Sequence, residues 1–138
     1  MILNVIKNDS GAEIRLDGMI VSDDMKDIYE WFGYQVIAPK DVYSVLDNLD
    51  GDSVTIKINS CGGDYFAGAE IYAELKEYKG DVKIIVTGLA ASAASVIAMA
   101  GKCIMYPTAQ LMIHNASSQP CGDYRVMEHE AEVLQKIN

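Results

Sequence analysis

Two side chains in this 138-residue chain have the right types for the working pair of an acyl-transfer site: Ser92 and His114. Ser92 lies in the run Gly88-Leu89-Ala90-Ala91-Ser92-Ala93-Ala94-Ser95, which continues through Val96-Ile97-Ala98-Met99-Ala100 to Gly101. The β-branched segment Ile84-Ile85-Val86 before it reads as a buried strand, and Gly88 is expected to break that strand. The Ala-rich run after it has high helix propensity and is expected to end at Gly101, a good C-cap. Ser92 is therefore expected in the first turn of a helix that starts just past a strand end. Backbone N–H groups there have no intrahelical partner, and the helix dipole favours developing negative charge. A serine so placed can attack a carbonyl, and the alanines around it leave room for a substrate.

Plainer readings compete with this one. Small residues in a buried helix usually serve close packing. The uncharged segment 84–101 also just reaches the length of a membrane span. A span is rejected because the segment is rich in Ala, Gly, Ser and Thr and is split by Gly88. A lone histidine at a strand end is more often structural than catalytic. The balance shifts because three features each follow an expected strand: Gly62-Gly63, Ser92, and His114 with Asn115. Acyl transfer needs a nucleophile, a base within hydrogen-bond reach and N–H donors for the oxyanion, and the chain offers one candidate for each. No Gly-x-Ser-x-Gly elbow is present, so the α/β-hydrolase arrangement is excluded. Ser95, three residues on, shares the face of Ser92. It sits a turn deeper, where its hydroxyl is expected to bond back to a carbonyl or meet the core, which leaves Ser92 as the expected nucleophile.

The elements that must position these groups are legible in the hydrophobic pattern. Ile14 and Leu16 alternate with polar neighbours as a strand closed by Asp17-Gly18. Ser22-Asp23-Asp24 reads as a helix start. The aromatic stretch from Trp31 to Ile37 reads as a loop or short extension. Pro39 suits a first helical position, with Val42, Val45, Leu46 and Leu49 at helical spacing and Asp50-Gly51 as the stop. Val54, Ile56 and Ile58 alternate as a half-buried strand that runs into Asn59-Ser60-Cys61-Gly62-Gly63-Asp64. Two adjacent glycines there allow backbone angles other residues resist and let a ligand approach the main chain. A helix with Ile71, Leu75 and Tyr78 on one face follows, then a turn at Lys79-Gly80-Asp81. Two short strands, Cys103 to Tyr106 and Gln110 to His114, are split by Pro107, and a polar loop spans Asn115 to Gly122. From Asp123 to Asn138 the pattern is helical, with Met127, Ala131 and Leu134 on one face. Strand and helix alternate, which favours an α/β layered fold with parallel pairing.

The bulk numbers bound the function. The length suits one domain with a real core, and half of the residues are hydrophobic. A net charge of −9 argues against nucleic acid or an anionic membrane surface as partner. The N-terminal apolar segment is too short for a secretory signal. Three cysteines without a pairing pattern suit a reducing cytosol. Cys61, Cys103, Cys121, His114 and His129 lack zinc-ligand spacing, so neither a metal nor another cofactor is expected.

Taken together, Ile-Asn-Ser-Cys-Gly-Gly-Asp, Gly-Leu-Ala-Ala-Ser-Ala-Ala-Ser and Leu-Met-Ile-His-Asn resemble the Clp protease proteolytic subunit (ClpP) family. The likeness is greatest to its phage and prophage relatives, the head maturation proteases, and covers about residue 12 to the C-terminus. It implies the ClpP/crotonase-type α/β fold of repeated β-β-α units. It also implies Ser92 as nucleophile, His114 as general base, and the N–H groups of Gly63 and Ala93 as the oxyanion hole. The expected activity is that of a serine endopeptidase working through an acyl-enzyme in the bacterial host cytosol. The family's double heptameric ring implies self-association, with protein or peptide substrates, here phage scaffold or capsid proteins. A housekeeping role with an ATP-driven unfoldase is the variant within this class. A non-catalytic assembly protein is the other reading, and an acyl-CoA enzyme on the same fold ranks last. The chain departs from the family in having Cys61 for a proline and Ala93-Ala94 for Met-Gly. No residue matches the family's third triad member, an aspartate. Residues 1–138 are expected to be a single domain cut within the ring-to-ring helix, folding around Ser92 and His114 but hydrolysing peptides poorly.

Overall fold

The computed structural model describes residues 3–8 and 11–138. Strands β1 (Asn4–Asn8) and β2 (Gly11–Ile20) form an antiparallel hairpin. Helix α1 (Lys26–Trp31), strand β3 (Val36–Ile37) and helix α2 (Pro39–Leu46) follow. The second half runs β4 (Val54–Gly63), α3 (Tyr65–Glu77), β5 (Val82–Ala91), α4 (Ala93–Ala98), β6 (Lys102–Met105), β7 (Gln110–Met112) and α5 (Tyr124–Ile137). Apart from β1, every strand pairing is parallel, and the sheet order is β1-β2-β4-β5-β6, with β3 on β2 and β7 on β5. The α/β class read from the pattern is thus the one observed.

Alternation decides which face is buried. Ala12, Ile14 and Leu16 of β2, Val54, Ile56 and Ile58 of β4, and Ile84, Val86 and Ala90 of β5 form one apolar face. Val42 and Leu46 of α2, Ile71 and Leu75 of α3, and Ile97 of α4 cover it in one core. The opposite face carries charge: Lys57 Nζ lies 2.7 Å from Glu13 Oε2. That bond to Lys57 holds the Glu13 carboxyl below the ordinary carboxylate range. Burying one such Ile or Leu side chain stabilises by about 1.5–3 kcal/mol, so this face carries most of the fold's stability. Among the described residues, the buried hydrophobic side chains all fall between Ala12 and Ala100. Helix α5 contributes none.

Several boundaries differ from those the sequence suggests. Strand β2 does not close at Asp17-Gly18; it passes through an irregularity there and continues to Ile20. Gly18 has φ +111°, and a Cβ on it would sit 2.3 Å from the Gln35 carbonyl oxygen. Close approach of another backbone, not termination, is the reason for that glycine. Gly88 likewise does not break β5, which runs on to Ala91. A Cβ at Gly88 would meet the Asn59 side-chain oxygen at 2.5 Å, the atom that accepts the Leu89 N–H. Beyond Gly88 the strand changes neighbour, pairing β6 before it and β7 after it. Helix α1 begins at Lys26 rather than at Ser22, and the Trp31–Ile37 stretch contains the two-residue strand β3.

Helix α4 ends at Ala98 with Met99 as C-cap, so Gly101 is not the cap. Gly101 instead adjoins β6, where a Cβ would lie 2.5 Å from the Val82 carbonyl oxygen. The plain reading of the small residues holds alongside any chemistry. A Cβ at Gly68 of α3 would come within 2.9 Å of the Ala93 Cβ, so α3 and α4 pack closely because both are small there. Among the described residues, no helix is long and apolar enough to cross a membrane.

Candidate active site

The site is assembled at the C-terminal ends of three parallel strands. Strand β5 delivers Ser92, β4 delivers Gly62-Gly63, and β7 leads within two residues to His114. Ser92 is not in the first turn of α4 but is its N-cap, at φ 53° and ψ −125°. That backbone is outside the ordinary left-handed helical well, and a non-Gly residue held there costs about 1–3 kcal/mol. The conformation turns the chain sharply from strand into helix and leaves the serine side chain at the corner. Its N–H donates to the Met112 carbonyl at 2.9 Å, and its carbonyl accepts from the Ser95 N–H at 2.9 Å.

Ser92 Oγ lies 2.8 Å from His114 Nε2, a hydrogen-bonding distance between a hydroxyl and an imidazole. The imidazole is exposed and Ser92 is half-buried. Gly62 presses against the same corner, and Gly63 against the backbone of Ile20. Gly62 has φ +89°, and a Cβ on it would sit 2.7 Å from Ser92 Cβ and 3.0 Å from the Ala93 nitrogen. Gly63 has φ +146°. Only glycine fits both the angles and the space. Ala93 is the first residue of α4, so its N–H has no partner four residues back within the helix.

A cavity of about 540 Å³ opens onto these groups, and Gly63, Ser92, Ala93 and His114 all line it. Phe66 and Val96 add apolar wall on one side, and Val133, Leu134 and Ile137 of α5 add it on the other. The four residues named from the sequence are thus neighbours around one opening. Such a wall suits an apolar side chain next to a polarised carbonyl.

Three details were not foreseen. The Ser60 hydroxyl, buried at the end of β4, accepts the Gly62 N–H at 3.1 Å. The Asp64 carboxylate caps α3 through the Ala67 N–H. The end of α5 reaches back to the loop after His114, where the Asn138 side chain accepts the Ala116 N–H. Polar residues beside glycines were the one available signal for the first two. Asp123 is occupied as the N-cap of α5, accepting from Arg125 and Val126. Among the described residues, no carboxylate bonds to His114, and no three His, Cys, Asp or Glu side chains gather in a group able to hold a metal ion.

Comparison with known proteins identifies the lineage of this arrangement. Residues 38–138 match the family Clp protease. The chain is 38% identical over 96 residues to the ATP-dependent Clp protease proteolytic subunit of Bacteroides fragilis, covering 67% of this chain and 46% of that one. It is 34% identical over 135 residues to the corresponding subunit of Porphyromonas gingivalis, covering 95% of this chain and 57% of that one. Among solved structures, the ClpP1 N165D mutant from Listeria monocytogenes superposes with a TM-score of 0.66 at 27% identity, over 91% of this chain and 64% of that one. The chain spans about half the length of the curated relatives it matches.

Proposed function

We propose that this chain, which belongs to the Clp protease family, is a serine endopeptidase whose nucleophile is Ser92. The observation that carries the reading is the 2.8 Å approach of Ser92 Oγ to His114 Nε2, at a cavity that Gly63 and Ala93 also line. Ser92 Oγ attacks the scissile carbonyl carbon while its proton passes to His114 Nε2. The oxygen of the tetrahedral intermediate takes N–H bonds from Gly63 and Ala93. On collapse the C–N bond breaks, the leaving amine takes the proton from His114, and the acyl group stays on Ser92. A water then gives its proton to His114 as its oxygen attacks the ester; the bond from Ser92 Oγ to the acyl carbon breaks, His114 returns the proton to Oγ, and the acid leaves. Each donor of an oxyanion hole is typically worth 10²–10³ in kcat.

Self-association into rings and protein or peptide substrates belong to the same proposal. Two substrate assignments follow from different supports. The three sequence blocks resemble those of head maturation proteases, which favours phage scaffold or capsid proteins. The relatives in Bacteroides fragilis and Porphyromonas gingivalis are named ATP-dependent Clp protease proteolytic subunits, which favours work with an ATP-driven unfoldase. A non-catalytic role in assembly is the second reading, and the absence of a carboxylate on His114 among the described residues is what favours it. A serine-directed fluorophosphonate, followed by peptide mapping, separates the two classes. Label on Ser92 that His114→Ala suppresses supports the peptidase. Intact, unlabelled Ser92 in the folded chain supports the assembly protein.

A further inference from the structure

Ser60 and Ser95 are the buried polar side chains among the described residues, at 3% and 8% exposure. Burying a hydroxyl is unfavourable unless it is bonded, so a buried serine in an apolar core needs a reason. Both spend their hydroxyl on the main chain of the same site. Ser60 Oγ accepts the N–H of Gly62 at 3.1 Å, and Ser95 Oγ donates to the carbonyl of Ser92 at 2.6 Å.

We propose that Ser60 and Ser95 are a pair of positioning residues for the oxyanion hole, given the acyl-transfer role of Ser92 proposed above: Ser95 fixes the peptide plane that carries the Ala93 N–H, and Ser60 fixes the plane just before the one that carries the Gly63 N–H. The Ser92 carbonyl and the Ala93 N–H belong to one peptide unit. That unit is planar, with C=O and N–H pointing in opposite directions. Two donors converge on the carbonyl: the Ser95 hydroxyl at 2.6 Å and the Ser95 N–H at 2.9 Å. Tying the oxygen down therefore aims the Ala93 N–H away from the helix, toward the cavity that Ala93 lines. The same bonds polarise the amide, which strengthens its N–H as a donor. They also oppose relaxation of Ser92 from φ 53°, ψ −125°, a conformation with no intrinsic preference for serine.

Ser60 does the corresponding work on the other strand. Gly62 and Gly63, at φ +89° and +146°, have no side chains to restrict them, and glycine backbone is the most mobile of all. The Ser60 hydroxyl binds the N–H of Gly62, two residues on, and so pins the peptide that immediately precedes the Gly63 donor. Each hydroxyl thus converts a flexible or strained segment into a preorganised one, which is where most electrostatic catalysis resides.

The test is the rate of fluorophosphonate labelling of the folded chain, split into the reversible constant KI and the maximal rate kinact. Fluoride leaves phosphorus as Ser92 Oγ bonds to it, and the developing P–O⁻ occupies the oxyanion position. Ser60→Ala and Ser95→Ala are each expected to lower kinact about tenfold with KI unchanged, since small misplacements of catalytic groups have effects of this order. Ser60→Thr and Ser95→Thr, which retain the hydroxyl, are expected to restore most of the rate. Val42→Ala, a core change in α2 outside the cavity, supplies a variant with lowered Tm and unchanged kinact. If Ser60→Ala does not fold, Ser60→Cys, which keeps the volume but accepts weakly, carries the measurement. Wild-type kinact in the alanine variants, or a fall shared by Val42→Ala, overturns the positioning role and leaves the peptidase reading intact. An unlabelled wild-type Ser92 overturns the peptidase reading itself.

Discussion

The main-chain N–H of Ser92 donates to the carbonyl of Met112 at 2.9 Å, across 20 residues of sequence. This one bond joins the end of β5 to the end of β7, in register with the pairing of Ala91 and Met112. His114 follows Met112 by two residues, so the strand pairing itself brings the imidazole to the serine. The 2.8 Å approach of the two side chains is therefore a property of the sheet. Substitutions that disturb β7 pairing should separate the pair without touching either member.

Ser92→Ala is expected to abolish fluorophosphonate labelling, and His114→Ala is expected to lower its rate by about 10²–10⁴, the usual range for loss of a general base. Mass mapping of the labelled peptide checks the assignment. Label on Ser95 would sink it, since that hydroxyl is committed to the Ser92 carbonyl.

Turnover of model peptides by residues 1–138 is expected to be slow even where labelling is rapid. No carboxylate among the described residues orients His114. Disrupting that third member costs about 10⁴ in kcat in a serine protease. Steady-state hydrolysis measured beside single-turnover labelling tests this, and fast turnover by the 138-residue chain would contradict it.

Gly62→Ala is expected to destabilise the fold by roughly 2–4 kcal/mol, a value on the scale of backbone strain plus overpacking. Its Cβ would be 2.4 Å from the Ala91 carbonyl oxygen and 2.7 Å from Ser92 Cβ, at φ +89°. Gly33→Ala is the control, because φ is also positive at +85° but nothing lies within 4 Å. Urea unfolding of the two variants should differ by well over 1 kcal/mol, and equal losses would refute the clash.

Deleting 123–138 is expected to leave a cooperatively folding core. Helix α5 buries no residue fully, and its Val126 and Met127 are 43% and 42% exposed. Its Val133, Leu134 and Ile137 line the cavity, so labelling by apolar probes should weaken while Tm moves by only a few degrees. Circular dichroism on the shortened chain decides it. Loss of the cooperative transition would show that α5 holds the fold.

Stability is expected to fall as the pH rises above about 10. Burial pushes up the Tyr43 hydroxyl, and its hydrogen bond to the Glu70 carboxylate adds to this, from an ordinary value of 10.0. Tyr78 is raised by burial as well, with its hydroxyl donating to the Asp52 carbonyl at 2.7 Å. Burial works against the Lys26 ammonium, but the bond to Asp41 together with the negative charges of Asp41, Glu30 and Asp27 outweighs it and holds the proton more tightly than usual. All three bind a proton more strongly folded than unfolded. Their contribution is full below the ordinary values of 10.0 and 10.5 and is lost as pH climbs through the raised ones. Tm measured at pH 8 and pH 11 should drop less in Tyr43→Phe than in the parent chain.

The amino-acid sequence by itself determined the fold class and the short segments in which the site lies. Strict alternation at Val54, Ile56 and Ile58, and the β-branched run at Ile84-Ile85-Val86, required buried strands, because period-2 burial is a local property of the chain. Ser92, His114 and the Gly62-Gly63 pair stood out in sequence because each follows an expected strand, whereas the oxyanion roles of Gly63 and Ala93 were implied only by the resemblance of three sequence blocks to a known family. Only the tertiary structure decided what each glycine is for. Gly18 and Gly88 look like strand breakers in sequence, yet both lie within strands, because another chain segment passes too close for a Cβ. The Ser95 hydroxyl does bond back to a carbonyl, as its place one turn into the helix suggested, but the strained backbone of Ser92 and the bond from Ser60 to Gly62 were invisible, since they depend on which groups are nearby in space. Propensity and periodicity report what a residue does for its own element, whereas close approach and hydrogen-bond partners are set by neighbours that folding brings together.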